Sequence, residues 1–332
     1  MGRSDDIPAF EGFFDYSKIV AGSSILAADL ICKKDHNIVL NWMGGLHHAK
    51  KAQASGFCYI NDIVLSILHL LETYDKVLYV DIDVHHGDGV QEAFWTTNRV
   101  MTVSFHLYDP ENHFFPGTGD LSELGDGEGR HYSLNVPLKA GCTDTTYKQV
   151  FESIMDRVFD YYRPDVVFLQ CGADSLIGDI LGQFNLSILG HAEAVSYIVN
   201  KGYPVILSGG GGYVPENVAR CWAFESSLML GKPIGGTLPD DLVYMNEYTD
   251  QEFFYNPPNY HNIKRDMNQS SDIVDIIKTC AKAMPPSMAN PSIQDRFMSS
   301  HGKEVIDMIK KQHYILDSES EEEMIYEFEI IL

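Results

Sequence analysis

The sequence predicts an α/β fold: a single domain built on an open, mostly parallel sheet of several strands, with helices on both faces of the sheet. Short apolar runs rich in Val, Ile and Leu alternate with amphipathic stretches over most of the chain, and such alternation is typical of this class. The runs are too short for helices and are bounded by Gly or Asp, as buried parallel strands are.

The predicted elements follow one another in strand–helix order. Strands are expected at 38–42, 76–80, 100–105, 165–170 and 204–207. Helices are expected at 61–73, 145–162, 188–201 and 216–230, and in the second of these apolar residues recur at spacings of three and four. Because ligands bind at the carboxyl ends of strands in such sheets, the residues that follow each strand are the first candidates for a functional site.

The composition argues against several classes of function. The chain has 332 residues, and 24 Lys and Arg against 47 Asp and Glu give a net charge of −23. Phosphate binding needs clustered Lys and Arg, so this acidity argues against direct nucleic-acid binding and favours a basic partner. No apolar run reaches the roughly 18 residues of a membrane span. The six cysteines are scattered without a CxxC pair, which predicts reduced thiols in an intracellular protein.

Acidic residues and a histidine alternate after the second predicted strand. Within the segment 80–88, Asp81, Asp83 and His85 occupy every other position, so a strand would place all three on one side. Two carboxylates and an imidazole on one side are poorly compensated unless a cation lies among them. A turn of hydrogen-bonded polar residues is the alternative interpretation. The alternation favours a metal site.

A third metal ligand is expected from another strand end. Asp174 follows the strand that ends at Gln170, at a position equivalent to that of Asp83 and His85. Asp, His and Asp with one open position is the ligand pattern of a catalytic metal ion. Zinc suits it, and Fe²⁺ or another divalent ion is the alternative for a site of nitrogen and oxygen ligands.

His47 and His48 form a pair after the first predicted strand. A histidine pair alone is typical of a loop. Beside a metal ion, however, one imidazole can take a proton from water and the other can return a proton to a leaving group. Each imidazole then needs a partner on its far nitrogen, and Asp81 and Asp88 are available carboxylates.

A run of four glycines, 209–212, precedes Tyr213. Neither the GK[ST] nor the GxGxxG pattern of phosphate binding is present. The remaining interpretation is a close backbone approach to a ligand, with the Tyr213 hydroxyl donating to a developing oxyanion. A loop tyrosine that packs on its helix is the alternative.

Aromatic residues flank these motifs in loops. Phe57 follows Gly56, and Phe114 and Phe115 precede Pro116. Core packing is the usual role of Phe, but two loop phenylalanines can also line a narrow apolar channel that fits an aliphatic chain.

Together these motifs resemble those of the class I zinc-dependent histone deacetylases. The resemblance is carried, in order and spacing, by residues 47–65, 77–94, 99–106, 114–120, 169–176 and 209–222. It implies the three-layer arginase/deacetylase-like fold. It also implies hydrolysis of N6-acetyl-lysine in histone tails and other proteins, with release of acetate and a role in transcriptional repression and chromatin regulation.

The resemblance further implies roles for individual residues. The zinc ligands would be Asp83, His85 and Asp174. The catalytic group would comprise His47 and His48, their partners Asp81 and Asp88, and Tyr213 on the acetyl carbonyl. Substrate would contact Asp6, Gly56, Phe57, Phe115, Leu181 and Gly211.

Bound ions and partners are also implied by the resemblance. One potassium site would involve Asp81, Asp83, His85, Ser104 and Phe105, and a second Phe94, Thr97, Val100 and Tyr132. Corepressor subunits are expected partners. Members of the family bind an inositol phosphate through basic residues, but the matching positions here are Ile180 and Glu216. We therefore expect that binding to be weak or lost.

The resemblance divides the chain into two parts. A catalytic domain is expected over residues 1–290, shorter at its amino end than in other members, followed by a C-terminal extension over 291–332. The last 21 residues, 312–332, contain seven acids and no Lys or Arg, so they carry −7 of the −23 and are expected to be a solvated acidic tail.

Two alternative functions remain open at this point. One is a catalytically weak scaffold subunit of a corepressor complex, against which the intact set of catalytic residues argues. The other is an acetylpolyamine amidohydrolase, against which the motifs around His47 and Phe115 argue. A nuclear location, with the cytoplasm as a second one, is implied by the resemblance alone.

Overall fold

Parallel strands form one open sheet in the computed structural model, which describes residues 7–248, 251–254 and 263–284. The six strands found there are β1 Ile38–Asn41, β2 Val77–Asp81, β3 Val100–Leu107, β4 Ser133–Leu138, β5 Val166–Gln170 and β6 Val205–Ser208. Their order across the sheet is β1-β6-β5-β2-β3-β4, and each neighbouring pair is parallel. The predicted open parallel sheet is confirmed.

Helices cover both faces of this sheet, as predicted. The described helices are α1 Phe13–Cys32, α2 Asp62–Leu70, α3 Asp88–Phe94, α4 Asp144–Tyr162, α5 Ile188–Val199, α6 Pro215–Met229 and α7 Ser270–Ala283. Side chains alternate along a strand, so β2 directs Val77 and Tyr79 into an apolar layer with α1, α2 and α3. Leu78 and Val80 point into the opposite layer, with α4 to α7.

The carboxyl ends of β1, β6, β5 and β2 lie in one register, which continues through Ser104 within β3. Asn41, Ser208, Gln170, Asp81 and Ser104 are successive partners across β1, β6, β5, β2 and β3. From β2 the chain proceeds to β3 and β4 on one side, whereas from β5 it proceeds to β6 on the other. The connections therefore diverge between β2 and β5, and a crevice at such a point is where open α/β sheets bind ligands.

Four elements, α1, α3, α7 and β4, have no counterpart in the sequence prediction. The apolar pattern of β4 is interrupted by Asn135 and Pro137, and proline is tolerated because β4 is an edge strand. The buried face of α1 includes small residues such as Ser24 and Ala28, which weakens its apolar period. Helix α3 is only seven residues long. The predicted first strand, β1, lies at the other edge and is half-buried rather than buried.

Two further sequence expectations concern cysteines and membranes. All six cysteines lie within the described residues and are free. None of the described helices combines the length and apolar character that crossing a membrane requires. The predicted boundary at residue 290 and the acidic segment 312–332 lie outside the described residues.

Replacing Phe168 by Ala is expected to lower the free energy of unfolding by about 3–5 kcal/mol, because the substitution empties a fully buried site between β5 and the α1–α3 layer. The matched control is Phe14→Ala, since Phe14 is 66% exposed, and its cost is expected to stay below about 1 kcal/mol. Urea-induced unfolding of both variants measures the difference. Equal losses would contradict the assignment of Phe168 to the core.

Candidate metal centre and active site

Three buried side chains meet beyond the ends of β2 and β5. The ligand atoms of Asp83, His85 and Asp174 lie within 4.8 Å of one another. His85 Nδ1 is 3.1 Å from Asp83 Oδ1 and 2.9 Å from Asp174 Oδ2. The fold thus brings together the three residues that the sequence predicts as metal ligands.

The alternation of side chains continues past the end of β2 and orients these ligands. Ile82 and Val84 are buried in the layer that contains α4 to α7, so Asp83 and His85 face the opposite side. Ile82 N donates to Gln170 O at 3.1 Å, and Leu107 N donates to Val84 O at 2.8 Å. These bonds hold the ligand-bearing loop between the ends of β5 and β3.

Hydrogen-bond donors compensate part of the buried negative charge. Gln170 Nε2 and Gly211 N donate to Asp83 Oδ2 at 2.9 and 2.8 Å, and Val84 N donates to Asp174 Oδ1 at 2.8 Å. Burial raises the pKa of Asp174 to about 7, and the carboxylate of Asp83 adds to the rise. The compensation from these donors is therefore incomplete.

The donor set fits a divalent metal ion. Two carboxylates and an imidazole are groups that commonly coordinate zinc and Fe²⁺. A cation among them would neutralise the negative charge that burial makes costly. Glycines leave room around the ligand oxygens. A Cβ at Gly211 would lie 2.0 Å from Asp174 Oδ2, and one at Gly172 would lie 2.1 Å from Asp83 Oδ2.

Two buried histidines lie beside the cluster, each bonded to its own carboxylate. His47 Nδ1 is 2.8 Å from Asp81 Oδ2, and His48 Nδ1 is 2.8 Å from Asp88 Oδ1. The two imidazole rings are 3.9 Å apart between centroids. With Nδ1 engaged, Nε2 is the ring atom of each that remains for proton exchange with a bound molecule.

The two histidines differ in charge. Burial lowers the pKa of His47, but the carboxylates of Asp81 and Asp83 outweigh it and raise that pKa to about 9. Burial and the neighbouring His47 together lower the pKa of His48 to about 4, against the opposing effect of Asp88. Near neutral pH the pair therefore consists of a charged His47 and a neutral His48.

Tyr213, in the loop after β6, is the last predicted catalytic residue that lies at this site. Gly212, just before it, has φ 141°, a conformation that favours glycine. The Tyr213 ring meets those of Phe57 and His85 edge-on, at 6.0 and 6.3 Å between centroids. Burial and the carboxylates of Asp174 and Asp83 raise the pKa of Tyr213 far above its ordinary value, so its hydroxyl stays protonated and can donate.

Apolar residues surround the mouth of the site. The Phe115 ring lies 4.9 Å from that of His48, between centroids, and a Cβ at Gly56 would lie 2.5 Å from His48 Cδ2. Phe57, Phe115 and Leu181 are all exposed in part. Phe57 and Phe115 thus flank Tyr213 and His48, while Leu181 lies in the loop that follows Asp174.

The other predicted site residues are dispersed. Ser104 and Phe105 lie on β3 beside Asp81. Phe94, Thr97, Val100 and Tyr132 lie near the amino ends of β3 and β4, away from the metal cluster.

Ile180 is exposed, and Glu216 lies in the first turn of α6, 3.6 Å from Arg220 Nη1. Asp6 lies outside the described residues.

Three residues of the site are absent from the sequence prediction. Gln170 donates to Asp83, and its signal is a polar residue that ends an apolar run. Lys50 Nζ lies 2.7 Å from Asp88 Oδ2 and, with His48, holds the pKa of Asp88 at about 2 although burial opposes this. Asp179 accepts from Tyr213 N at 2.7 Å, and no local pattern indicates that contact.

A second buried group, His191, Cys221 and Glu225, lies behind the Asp174 loop. His191 Nδ1 is 2.6 Å from Glu225 Oε1, and its Nε2 is 3.0 Å from Gly172 O. Burial lowers the pKa of His191, but Glu225 outweighs it and raises that pKa. Because both ring nitrogens are engaged, we interpret this group as support for the loop rather than as a metal site.

Comparisons with known proteins show what this chain is similar to. The histone deacetylase domain family matches residues 1–229. The chain is 53% identical over 249 residues to histone deacetylase 2 of Oryza sativa subsp. japonica, covering 75% of this chain and 48% of that protein. It is 50% identical over 253 residues to type-1 histone deacetylase 1 of Dictyostelium discoideum, covering 76% and 49%. For histone deacetylase 1 of Homo sapiens the values are 48% over 258 residues, covering 78% and 53%. The chain spans about half the length of the curated relatives it matches.

Removing one ligand is expected to abolish stable metal binding. Asp174→Asn should weaken zinc affinity by more than about 100-fold, since even partners outside the ligand shell contribute about 10- to 100-fold. Mass spectrometry of the metal content after zinc loading and desalting should give about one ion for the unmodified chain and almost none for the variant.

The matched control for this measurement is Cys221→Ser, in the second buried group. It should leave the zinc content unchanged. A loss of zinc in Cys221→Ser together with retention in Asp174→Asn would show that the ion binds at the second group instead.

Proposed function

The chain belongs to the histone deacetylase family, and from that premise we propose that it hydrolyses N6-acetyl-lysine in histone tails and other proteins, releasing acetate. The observation that carries this proposal is the meeting of a three-ligand cluster, two carboxylate-bonded histidines and a protonated tyrosine at one edge of the sheet. An amide hydrolase needs these three functions together.

One zinc ion, with Fe²⁺ as the alternative, would be held by Asp83, His85 and Asp174. When bound, it would supply a Lewis acid that polarises the acetyl carbonyl and makes water more acidic. The potassium sites implied by the resemblance, at Asp81, Asp83, His85, Ser104 and Phe105 and at Phe94, Thr97, Val100 and Tyr132, belong to this proposal as structural sites.

The histidine pair would move the protons of the reaction. His48, neutral near neutral pH, accepts a proton at Nε2 as the water oxygen bonds to the acetyl carbon. It returns that proton to the lysine nitrogen as the carbon–nitrogen bond breaks, which leaves acetic acid and the free amine. The acid then gives its proton to the amine, so that the products are acetate and a lysine ammonium group. His47, charged near neutral pH, stays protonated and stabilises the negative charge that develops on the substrate.

Tyr213 would hold the oxyanion. Its hydroxyl keeps its proton over the physiological range and donates to the former carbonyl oxygen. That oxygen gains charge in the transition state, so the bond strengthens as the reaction proceeds.

The substrate side chain would reach these groups between Phe57 and Phe115. Their rings contact those of Tyr213 and His48, so a lysine chain passing between them would present its acetyl group to the catalytic residues. Leu181, Gly56, Gly211 and Asp6 complete the proposed substrate contacts. A net charge of −23 favours the approach of basic, lysine-rich tails.

A role in transcriptional repression within a nuclear corepressor complex follows from the same premise. Glu216 lies beside Arg220 in α6, which supports weak or absent inositol phosphate binding, because a carboxylate repels phosphate. The scaffold and acetylpolyamine alternatives are not favoured, because the relatives at about 50% identity are named histone deacetylases.

Tyr213→Phe is expected to lower kcat on an acetyl-lysine peptide by about 100- to 1,000-fold, because it removes one donor to the oxyanion. Acetate release by the zinc-loaded chain measures this rate. Tyr197→Phe is the matched control, since its hydroxyl bonds Asp156 on α4 and should be irrelevant to turnover. Undiminished turnover of Tyr213→Phe would overturn the proposed mechanism. Faster turnover of acetylspermidine than of the peptide would overturn the proposed substrate.

A further inference from the structure

We propose that Asp179 is a positioning residue, whose carboxylate holds the backbone of Tyr213 and the loop that carries Leu181 in fixed relation to each other. The inference deepens the proposed function, on which it rests for the role of Tyr213. It concerns a residue that lies in no predicted motif and contacts neither the metal ligands nor the histidine pair through any hydrogen bond found among the described residues.

The carboxylate of Asp179 divides its two oxygens between two segments. Oδ1 accepts from Leu181 N and Gly182 N, both at 2.8 Å. Oδ2 accepts from Tyr213 N at 2.7 Å, across 34 residues of sequence. The first two bonds close a local turn, whereas the third joins that turn to the loop after β6.

Burial makes this arrangement costly unless the bonds are retained. Asp179 is only 3% exposed, and it forms no ion pair with the residues that the structure describes. Burial raises its pKa, while the three backbone N–H groups lower it. An uncompensated carboxylate would not persist there, so the three donors and the carboxylate fix one another's positions.

Tyr213 needs such an anchor because of what precedes it. Residues 209–212 are all glycine, and glycine restricts backbone dihedrals least. The next helix, α6, begins only at Pro215. The bond from Tyr213 N to Asp179 therefore sets the point from which the tyrosine side chain extends toward His85, whose ring is 6.3 Å away between centroids.

The same carboxylate ties this loop to the metal cluster. Gly182, one of its donors, packs so closely on the backbone of Asp174 that a Cβ would lie 1.8 Å from Asp174 O. The turn at Asp179 is thereby held against the chain that supplies one proposed metal ligand. Asp179 thus links the position of Tyr213 to that of Asp174, a proposed metal ligand.

Asp179→Asn tests the proposal with almost no change in shape. An amide has one acceptor oxygen and one donor nitrogen, so it cannot accept from both segments, and one set of N–H groups must face its NH₂. Since a displacement of about 1 Å can lower the reaction rate about 100-fold, kcat should fall by about 10- to 100-fold, while KM and zinc content change far less.

Asp144→Asn is the matched control. The Asp144 carboxylate also accepts a backbone N–H from another segment, Ser187 N at 2.8 Å, and its kcat should be unchanged.

A double variant separates positioning from general damage. If Asp179 acts through Tyr213, adding Asp179→Asn to Tyr213→Phe should reduce kcat by no more than about twofold further. Losses that multiply would overturn the proposal, as would a kcat of Asp179→Asn within about twofold of the unmodified chain.

Amide hydrogen exchange gives a readout that does not depend on activity. In the unmodified chain the Tyr213 amide should exchange slowly, and in Asp179→Asn it should exchange faster while β1 is unchanged. If in the unmodified chain it exchanges as fast as the amide of Tyr244, a residue that is 70% exposed, the proposal is wrong. An unmodified chain without deacetylase activity would instead refute the proposed function, and hydrogen exchange would still decide the role of Asp179.

Discussion

Three buried carboxylates, on Asp81, Asp83 and Asp174, impose the constraint on which the rest of the site depends. All three are inaccessible to solvent, so each needs a donor or a cation within reach. The donors come from separate parts of the chain. His47 follows β1, Gln170 ends β5 and Gly211 follows β6. Compensating the charge of this cluster, at the ends of β2 and β5, therefore also fixes the loops after β1 and β6.

The sheet allows this concentration of polar groups because its two faces are apolar. Strand β2 alternates Val77 and Tyr79 with Leu78 and Val80, and helices cover both sets. Polar residues end four neighbouring strands, where one register line joins Asn41, Ser208, Gln170 and Asp81. The connections diverge between β2 and β5, which is the position at which open α/β sheets bind ligands, and the proposed substrate would enter there.

A second set of polar contacts, made by one half-buried and two buried side chains, holds the segments next to the catalytic groups in place. Lys50 bonds the partner of His48, His191 bonds the loop that leads to Asp174, and Asp179 bonds the backbone of Tyr213. None of these contacts joins two strands of the sheet. They relate loops that the apolar layers leave free, and residues of this kind account for much of the geometry of an active site.

The sequence by itself determined the α/β class, five of the six described strands and the residue types of the proposed site, because alternation, strand length and side-chain chemistry are local properties. It indicated Asp81, Asp83 and His85 as a group because they share one strand end. Elements without a strong apolar period, such as α1 with its small buried residues and β4 with Pro137, carried too little local signal. Only the tertiary structure decided which side chains meet. The bonds from His47 to Asp81 and from Tyr213 to Asp179 each span 34 residues, and the order of the strands, not the spacing of the residues, brings those partners together.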